Sequence, residues 1–414
     1  MNIQVDPRIL SGTVSIPASK SMTHRMLICA ALAEGISVIE KVSFSKDITA
    51  TMEALSALGA AFHTVGSTVT VTGIGGTATA KAAEIDCCES GSTLRFLIPV
   101  AAALGVTATF HGQGRLPQRP ITAYVRELSS NGITFDYANT MPFTIHGQLQ
   151  SGTYYLEGDV SSQYVTGLLF ALPLLKGDSD IVMLSPLQSK PYVNLTIACM
   201  QQFGLCVTET ENGYHIAGGQ TAHAYDGAVE GDYSQAAFFA VANALGNHIT
   251  MSNLNPDSVQ GDKIIIEIAE KMWYNKCNHK PAGIQIDATD IPDLVPILAV
   301  LATFGTQPSV IRGAARLKIK ESDRLLATAE LLNRLGGNVT PFEDGLQIQP
   351  VERLQGGRID SYGDHRIAMC AAIAATRCTA PVVIAGGECV EKSYPQFYED
   401  YNRLGGNAHV IVLE

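Results

Sequence analysis

The chain has 414 residues, 46% hydrophobic and only 16% charged, which excludes a disordered, collagenous or coiled-coil protein and gives room for two or three domains of about 150 residues. Its formal net charge is −11, from 28 Lys+Arg against 39 Asp+Glu, so there is no basic excess to neutralise a nucleic-acid backbone. Small anionic ligands stay open, because they respond to a local cleft rather than to net charge.

The first residues, MNIQVDPRIL, show neither the cationic-then-apolar pattern of a secretory signal nor an Arg/Ser-rich transit segment. Nine cysteines without a CxxC pair argue against a disulfide framework or a zinc site and fit a reducing, cytoplasmic location. The adjacent Cys87 and Cys88 read as small buried side chains. Apolar runs such as 295–304 fall short of the ~20 residues a bilayer span needs. No membrane, nucleic-acid or metal partner is therefore expected.

Along the chain, six segments share one design, a short polar cluster followed by an almost wholly apolar helix. They are SKSMTHRMLICAALAEG from Ser19, ESGSTLRFLIPVAAALG from Glu89, GDVSSQYVTGLLFALPLLKG from Gly158, GDYSQAAFFAVANALG from Gly231, TDIPDLVPILAVLATFG from Thr289 and GDHRIAMCAAIAATRC from Gly363. Their starts lie 70, 69, 73, 58 and 74 residues apart, too regular for accident. A helix that is apolar all round must be buried on all sides. Between these runs the spacing predicts amphipathic helices, the first in DITATMEALSALGAAF from Asp47 and the others beginning near Arg119, Lys190, Gly261, Glu321 and Tyr394. Five of the six end in a small-residue turn, at Gly59, Gly132, Gly204, Gly336 and Gly405. The fourth, ending near KMWYNK, lacks one. Alternating fragments such as STVTVTG and NGYHIAGG read as strands. The chain thus reads as six copies of a unit with two helices and several strands, three per lobe, with the lobe boundary near residue 230. The fold class is α/β (α+β).

Each polar cluster falls at a helix N-terminus, where backbone N–H groups and the dipole favour anions. Lys20, Arg25, Arg95, Arg119, Lys320, Arg324, Arg366 and Lys392 lie in or beside these clusters. Any one of them alone would be read as a solvated surface charge. Eight at equivalent points of a repeat point instead to a cationic anion-binding cleft, with Arg giving bidentate recognition and Lys a mobile point charge. Asp293 in DIPD reads by itself as a helix cap or a first-turn charge, and Glu321 in KIKESDR as a surface ion pair with Arg324. Beside bound anions, either would have the tunable pKa that acid–base work requires. Ser161, Ser162 and Gln163 suit a helix cap and a phosphate site equally, and His24 and His365 carry little signal alone. No Walker loop, dinucleotide GxGxxG or metal-ligand cluster is present in the sequence.

PASKSMTHR, ESGSTLRF, GRLPQRPI, DVSSQY, QSKPY, IPD, IKESDRL, GDHRIAM and EKSYP follow one another in this chain. In residues and order they resemble the 5-enolpyruvylshikimate-3-phosphate synthase family of enolpyruvyl transferases, from about Gly12 to Phe397. The resemblance implies two lobes, each of three βαβαββ repeats with buried helices (an inside-out α/β barrel). One lobe would span 20–229 and the other 1–19 with 230–414, the first strand belonging with the C-terminal lobe and the active site lying in the interlobe cleft. It implies transfer of the enolpyruvyl group of phosphoenolpyruvate to the 5-hydroxyl of 3-phosphoshikimate, through a tetrahedral ketal and without metal or organic cofactor. The 3-phosphoshikimate contacts it implies are Lys20, Ser21, Arg25, Ser161, Ser162, Gln163, Ser189, Asp293 and Lys320. Those for phosphoenolpyruvate are Lys20, Gly91, Arg119, Gln163, Arg324, Arg366 and Lys392. Asp293 would take the hydroxyl proton, and Glu321 or Lys20 would protonate the methylene carbon. A monomer is expected.

Against that pattern, Ala18 replaces Gly, His24 stands where Asn is common, Glu89 and Ser90 replace Asn-Ala, and Arg316 stands where some members place Asn. Three alternatives compete. A UDP-N-acetylglucosamine enolpyruvyl transferase would carry Lys-Asn rather than Lys20-Ser21, and usually a Cys in the stretch that reads GRLPQRP here. An inactive metabolite-binding paralogue has no use for an acid–base pair. An RNA 3′-phosphate cyclase calls for a basic surface, which a charge of −11 disfavours.

Overall fold

The computed structural model of the chain describes residues 1–412. The helices are α1 (Lys20–Leu32), α2 (Lys46–Ala57), α3 (Gly91–Ala103), α4 (Thr122–Ser130), α5 (Ser162–Ala171), α6 (Lys190–Gln202), α7 (Tyr233–Ala244), α8 (Ile264–Cys277), α9 (Val295–Thr303), α10 (Arg324–Arg334), α11 (His365–Ala375) and α12 (Phe397–Arg403). The odd-numbered helices are the apolar ones, and their bodies are buried as the absence of a polar face demands: every residue of α9 and α11 is buried. At about 1.5–3 kcal/mol for each fully buried large aliphatic side chain, these helices carry much of the core. The even-numbered helices keep a solvated face. Several start later than the sequence spacing suggests, α4 at Thr122 and α10 at Arg324, because 3₁₀ turns at Leu116–Gln118 and Ala315–Ile319 occupy the approach.

The chain divides into two compact units, Ala18–Glu230 and Met1–Pro17 with Gly231–Glu414. In Ala18–Glu230, α1, α3 and α5 form the centre of one apolar core, wrapped by three four-stranded sheets. Each sheet starts with a parallel pair and ends with an antiparallel hairpin; Ala82–Asp86 runs parallel to Thr107–His111, which pairs antiparallel with Phe143–Gly147. Helices α3 and α5 approach closely at Gly167, where an added Cβ would collide with the Tyr124 hydroxyl and the Arg95 carbonyl. The second unit repeats the plan around α7, α9 and α11. Its strand Asn2–Val5 lies between Val382–Ala385 and Ala408–Ile411, both antiparallel to it, so the beginning of the chain completes the last repeat.

One repeat departs from the six equal copies expected. Between α8 and the strand Gln285–Asp287 lie only seven residues, 278–284, against 22 between α10 and Gly357. Seven residues cannot form the closing hairpin, and the sheet of this repeat holds just two strands, Ser11–Ser15 parallel to His248–Ser252. This is the unit with the 58-residue spacing and no turn glycine. The edge left open at His248–Ser252 is partly covered by Asn243, whose side chain donates to the Ile249 carbonyl and accepts from its N–H, both at 2.7 Å. The same side-chain clasp joins Asn333 to Val339 and Asn402 to Ala408, on true edge strands of complete sheets. An unpaired strand edge invites pairing with another chain, and the clasp removes one residue's polar groups from that edge.

Among the described residues no helix is long and apolar enough to cross a membrane, and no cluster of three or more His, Cys, Asp or Glu side chains could hold a metal. Cys87 is buried as expected, whereas Cys88 is only half-buried, at a left-handed backbone position with φ 48°. Burial raises both thiols above their ordinary range, which makes them poor nucleophiles.

Candidate active site

In the unit built from Met1–Pro17 and Gly231–Glu414, the chemistry gathers around Arg324. This residue opens α10, and its guanidinium is 2% exposed. It donates from Nη1 to Asp293 at 3.0 Å, from Nη2 to Glu321 at 2.8 Å and from Nε to Asp364 at 2.7 Å. Arg366, at the start of α11, donates from Nη2 to the other Asp293 carboxylate oxygen at 2.9 Å and from Nη1 to the Asp293 carbonyl at 3.2 Å. Asp364 caps α11 by accepting from the Arg366 N–H and also takes the Ser322 hydroxyl. Asp293 is the acidic first-turn residue of the 3₁₀ turn Pro292–Leu294, with its carboxylate engaged by two arginines, and the Glu321–Arg324 pair is formed but nearly buried rather than on the surface.

Burial opposes ionisation of Asp293, but Arg366, Arg324 and Lys320 outweigh it and hold the carboxyl well below the usual range. Nearby Asp262 is the opposite case. Burial and the Asp293 charge push it up to about 7, while the Ser234 hydroxyl hydrogen-bonds to it. Lys392, at the end of the turn Gly387–Lys392, is buried in the same unit. Arg316 donates to the Thr289 carbonyl and so ties its own turn to the loop that carries Asp293.

In the unit Ala18–Glu230, the remaining predicted residues stand at helix starts. Lys20 opens α1 after the Ser19 cap and pairs with Asp47 at 2.8 Å. Arg25 lies one turn along, over the Phe96 ring at 5.3 Å; it donates to the carbonyls of Ser21 and Tyr192 and to the Thr196 hydroxyl at 2.7–2.9 Å. Burial lowers its pKa to about 10, so it is still a cation at neutral pH. Ser161 caps α5, and Ser162 is buried in its first turn. Gln163 is held from two sides, accepting from Arg95 Nη1 at 2.9 Å and donating to Ser92 at 3.0 Å. Arg95 also donates to the Pro120 carbonyl and sits over Tyr164. It thus braces Gln163 and the Arg119–Pro120 turn. Ser189 precedes α6 in a left-handed conformation, φ 57°, a strained setting for a residue with a Cβ. Gly91 opens α3 against the Arg119 guanidinium.

Sequence reasoning missed Asp47, Asp364, Thr196 and Tyr192. Asp364 lies inside the GDHRIAM motif and Asp47 in the first turn of a predicted helix; their positions were visible but their partners were not.

These features put paired cations and a carboxylate pair in one unit, and a Lys-Ser-Arg set with an Arg-braced glutamine in the other. Comparison with known proteins gives that pattern its family. The family model for EPSP synthase (3-phosphoshikimate 1-carboxyvinyltransferase) matches residues 5–401.

The chain belongs to the EPSP synthase family. It is 47% identical to the 3-phosphoshikimate 1-carboxyvinyltransferase of Clostridium kluyveri, over 98% of this chain and 97% of that protein. It is 43% identical to that of Clostridium novyi, over 98% of each. Among solved structures it is similar to an EPSP synthase of Acinetobacter baumannii, with TM-score 0.80, 25% identity and coverage of 99% of this chain and 100% of that one. The mixed α/β fold is that of the enolpyruvyl transferases.

His24, where family members often carry Asn, supplies a test of this unit's interior. Burial, and secondarily Lys20, lowers its pKa to about 3, with Asp47 pulling upward and Arg25 downward. The native ring therefore stays neutral while the unfolded chain takes up a proton below about 6.5. Its contribution is complete above that pH and is lost as pH falls from 6.5 toward 3, at up to about 1.4 kcal/mol per pH unit. Asp262 titrates in the opposite sense, so a difference measurement is needed. Urea unfolding at pH 6.5 and 5 should show the wild type losing stability faster than His24→Asn; equal losses would mean that the ring is protonated or solvated in the native state.

Proposed function

We propose that Asp293 and Glu321 do the acid–base chemistry by which this chain moves the enolpyruvyl group of phosphoenolpyruvate onto the 5-hydroxyl of 3-phosphoshikimate. Asp293 takes the hydroxyl proton as that oxygen bonds to C2 of phosphoenolpyruvate, while Glu321 or Lys20 gives a proton to C3. The resulting tetrahedral ketal then loses the C3 proton and breaks its C2–O bond to phosphate, leaving the enol ether and inorganic phosphate. The 3-phosphoshikimate contacts are Lys20, Ser21, Arg25, Ser161, Ser162, Gln163, Ser189, Asp293 and Lys320. The phosphoenolpyruvate contacts are Lys20, Gly91, Arg119, Gln163, Arg324, Arg366 and Lys392. Both sets serve one substrate pair, and the chain acts as a cytoplasmic monomer.

The observation that carries this reading is the double clamp of Arg324 and Arg366 on Asp293. In that state Asp293 is a weak base. An anionic substrate that draws the two guanidinium groups to its own carboxylate or phosphate removes the charges that depress the Asp293 pKa, so substrate binding itself raises the basicity of the acceptor. The same cations then stabilise the departing phosphate.

The test is phosphate release from phosphoenolpyruvate in the presence of 3-phosphoshikimate, and separately of UDP-N-acetylglucosamine. Release with the first substrate alone is expected. Silence with both, from folded protein that binds either, would mean an inactive paralogue.

Gly91 offers a second check. A Cβ there would lie 2.6 Å from Arg119 Nη1 and 2.9 Å from Cζ, and the flexible end of the arginine must move away. Gly91→Ala should fold normally yet raise KM for phosphoenolpyruvate by about 10- to 100-fold, the value of a charge-assisted hydrogen bond, with KM for 3-phosphoshikimate nearly unchanged. An unchanged KM for phosphoenolpyruvate would take Gly91 and Arg119 out of that subsite.

A further inference from the structure

Four buried side chains, His24 in α1, Thr51 in α2, and Thr93 and Ser90 at the start of α3, form a continuous hydrogen-bonded chain. His24 Nδ1 meets Thr51 Oγ1 at 2.8 Å, Thr51 Oγ1 meets Thr93 Oγ1 at 2.6 Å, and Thr93 Oγ1 donates to Ser90 Oγ at 2.7 Å. Each of the four side chains is at most 1% exposed. The bond directions follow from counting hydroxyl protons. The single proton of Thr93 goes to Ser90, the Thr51 proton is shared between Thr93 Oγ1 at 2.6 Å and the Asp47 carbonyl at 3.2 Å, and Thr51 then accepts from His24. The imidazole thus carries its proton on Nδ1, in keeping with the buried Nε2 that meets no hydrogen-bond partner. Ser90 also accepts the Thr93 N–H as the cap of α3. His24 and Ser90, the two ends of the chain, are both departures from the residues common in the family.

The chain joins three helix starts that carry site residues. Lys20 lies one turn before His24 on α1. Asp47, its ion-pair partner, lies one turn before Thr51 on α2. Gly91, beside Arg119, directly follows Ser90. In a low-dielectric interior such bonds are strong, and leaving one partner unsatisfied is costly. We propose that the His24–Thr51–Thr93–Ser90 chain is a positioning device that fixes the Lys20–Asp47 pair relative to Gly91 and Arg119, and so sets the affinity for phosphoenolpyruvate without touching it. This rests on the assignment of Lys20 and Gly91 to phosphoenolpyruvate.

The decisive variant is Thr51→Val, which keeps the branched shape and deletes the central hydroxyl. KM for phosphoenolpyruvate should rise about fivefold, with smaller changes in kcat and in KM for 3-phosphoshikimate, because Lys20 serves both substrates whereas Gly91 and Arg119 serve only the first. Thr51→Ser, which restores the hydroxyl and loses the methyl, should return KM for phosphoenolpyruvate close to the wild-type value. An unchanged KM in Thr51→Val, a parallel decline of all three constants, or a Thr51→Ser variant as impaired as Thr51→Val would each overturn the proposal. Should Thr51→Val fail to fold, Ser90→Ala at the helix-cap end of the chain carries the same test with the same selective rise in KM. Failure of the underlying assignment is read separately: Lys20→Ala, in an active wild-type background, would then leave KM for phosphoenolpyruvate unchanged.

Discussion

Asp293→Asn is expected to lower kcat by about 10²–10⁴, the usual worth of a positioned general base, while leaving phosphoenolpyruvate bound at least as tightly as in the wild type. The second half of this expectation comes from the geometry. Both Asp293 oxygens are engaged by Arg324 and Arg366, so the carboxylate competes with an incoming anion for the same two cations. The amide is similar in size and carries no charge, and it can neither accept the hydroxyl proton nor compete as strongly for the arginines. Binding measured by calorimetry, alongside single-turnover phosphate release, separates the two effects. A variant that loses binding and turnover together would assign Asp293 to holding the substrates rather than to proton transfer.

Arg324→Met should damage both stability and activity. The substitution leaves Asp293, Glu321 and Asp364 without the guanidinium that each now touches, and removing one partner from a buried ionic cluster costs about 3–5 kcal/mol. Denaturant unfolding should register that loss, and turnover should vanish with it. Arg324→Lys distinguishes charge from geometry. A single ammonium cannot reproduce three divergent N–H bonds, so much of the stability should return while kcat/KM stays low. A lysine variant with full activity would mean that only the charge at this point matters. Arg324 is also one of the charges that hold the Asp293 carboxyl low, so the methionine variant should lose less stability than the wild type as pH is lowered below about 5.

The repeat architecture was legible because its signal is physical. Six helices apolar on every side have nowhere to lie but the interior, and a polar cluster before each of them puts backbone N–H groups where an anion can meet them. The same pattern places Lys20, Arg324 and Arg366 at helix starts, as the structure has them. Their partners were harder to see. An aspartate at the start of a helix, such as Asp47 or Asp364, has the same sequence pattern whether it merely caps the helix or also orients an arginine forty residues away, as Asp364 does with Arg324. For Arg95, nothing in the sequence tells which carbonyl or amide the arginine will reach. The hydroxyls of Thr51 and Thr93 leave no periodic trace at all. The fourth repeat is the instructive middle case. Its shortened spacing and missing turn glycine marked an anomaly, but the loss of two strands follows only once the seven-residue connection is seen to lead directly into the next sheet.

That shortened repeat also says how much of each unit is dispensable. Helix α7 stays buried beneath a sheet of two strands instead of four, so the closing hairpin behaves as an optional module on a self-sufficient βαβα frame. The connection at 278–284 is consequently a natural socket. A hairpin transplanted there from a sister repeat, or a small domain whose ends lie close together, could be accommodated without disturbing the starts of the buried helices.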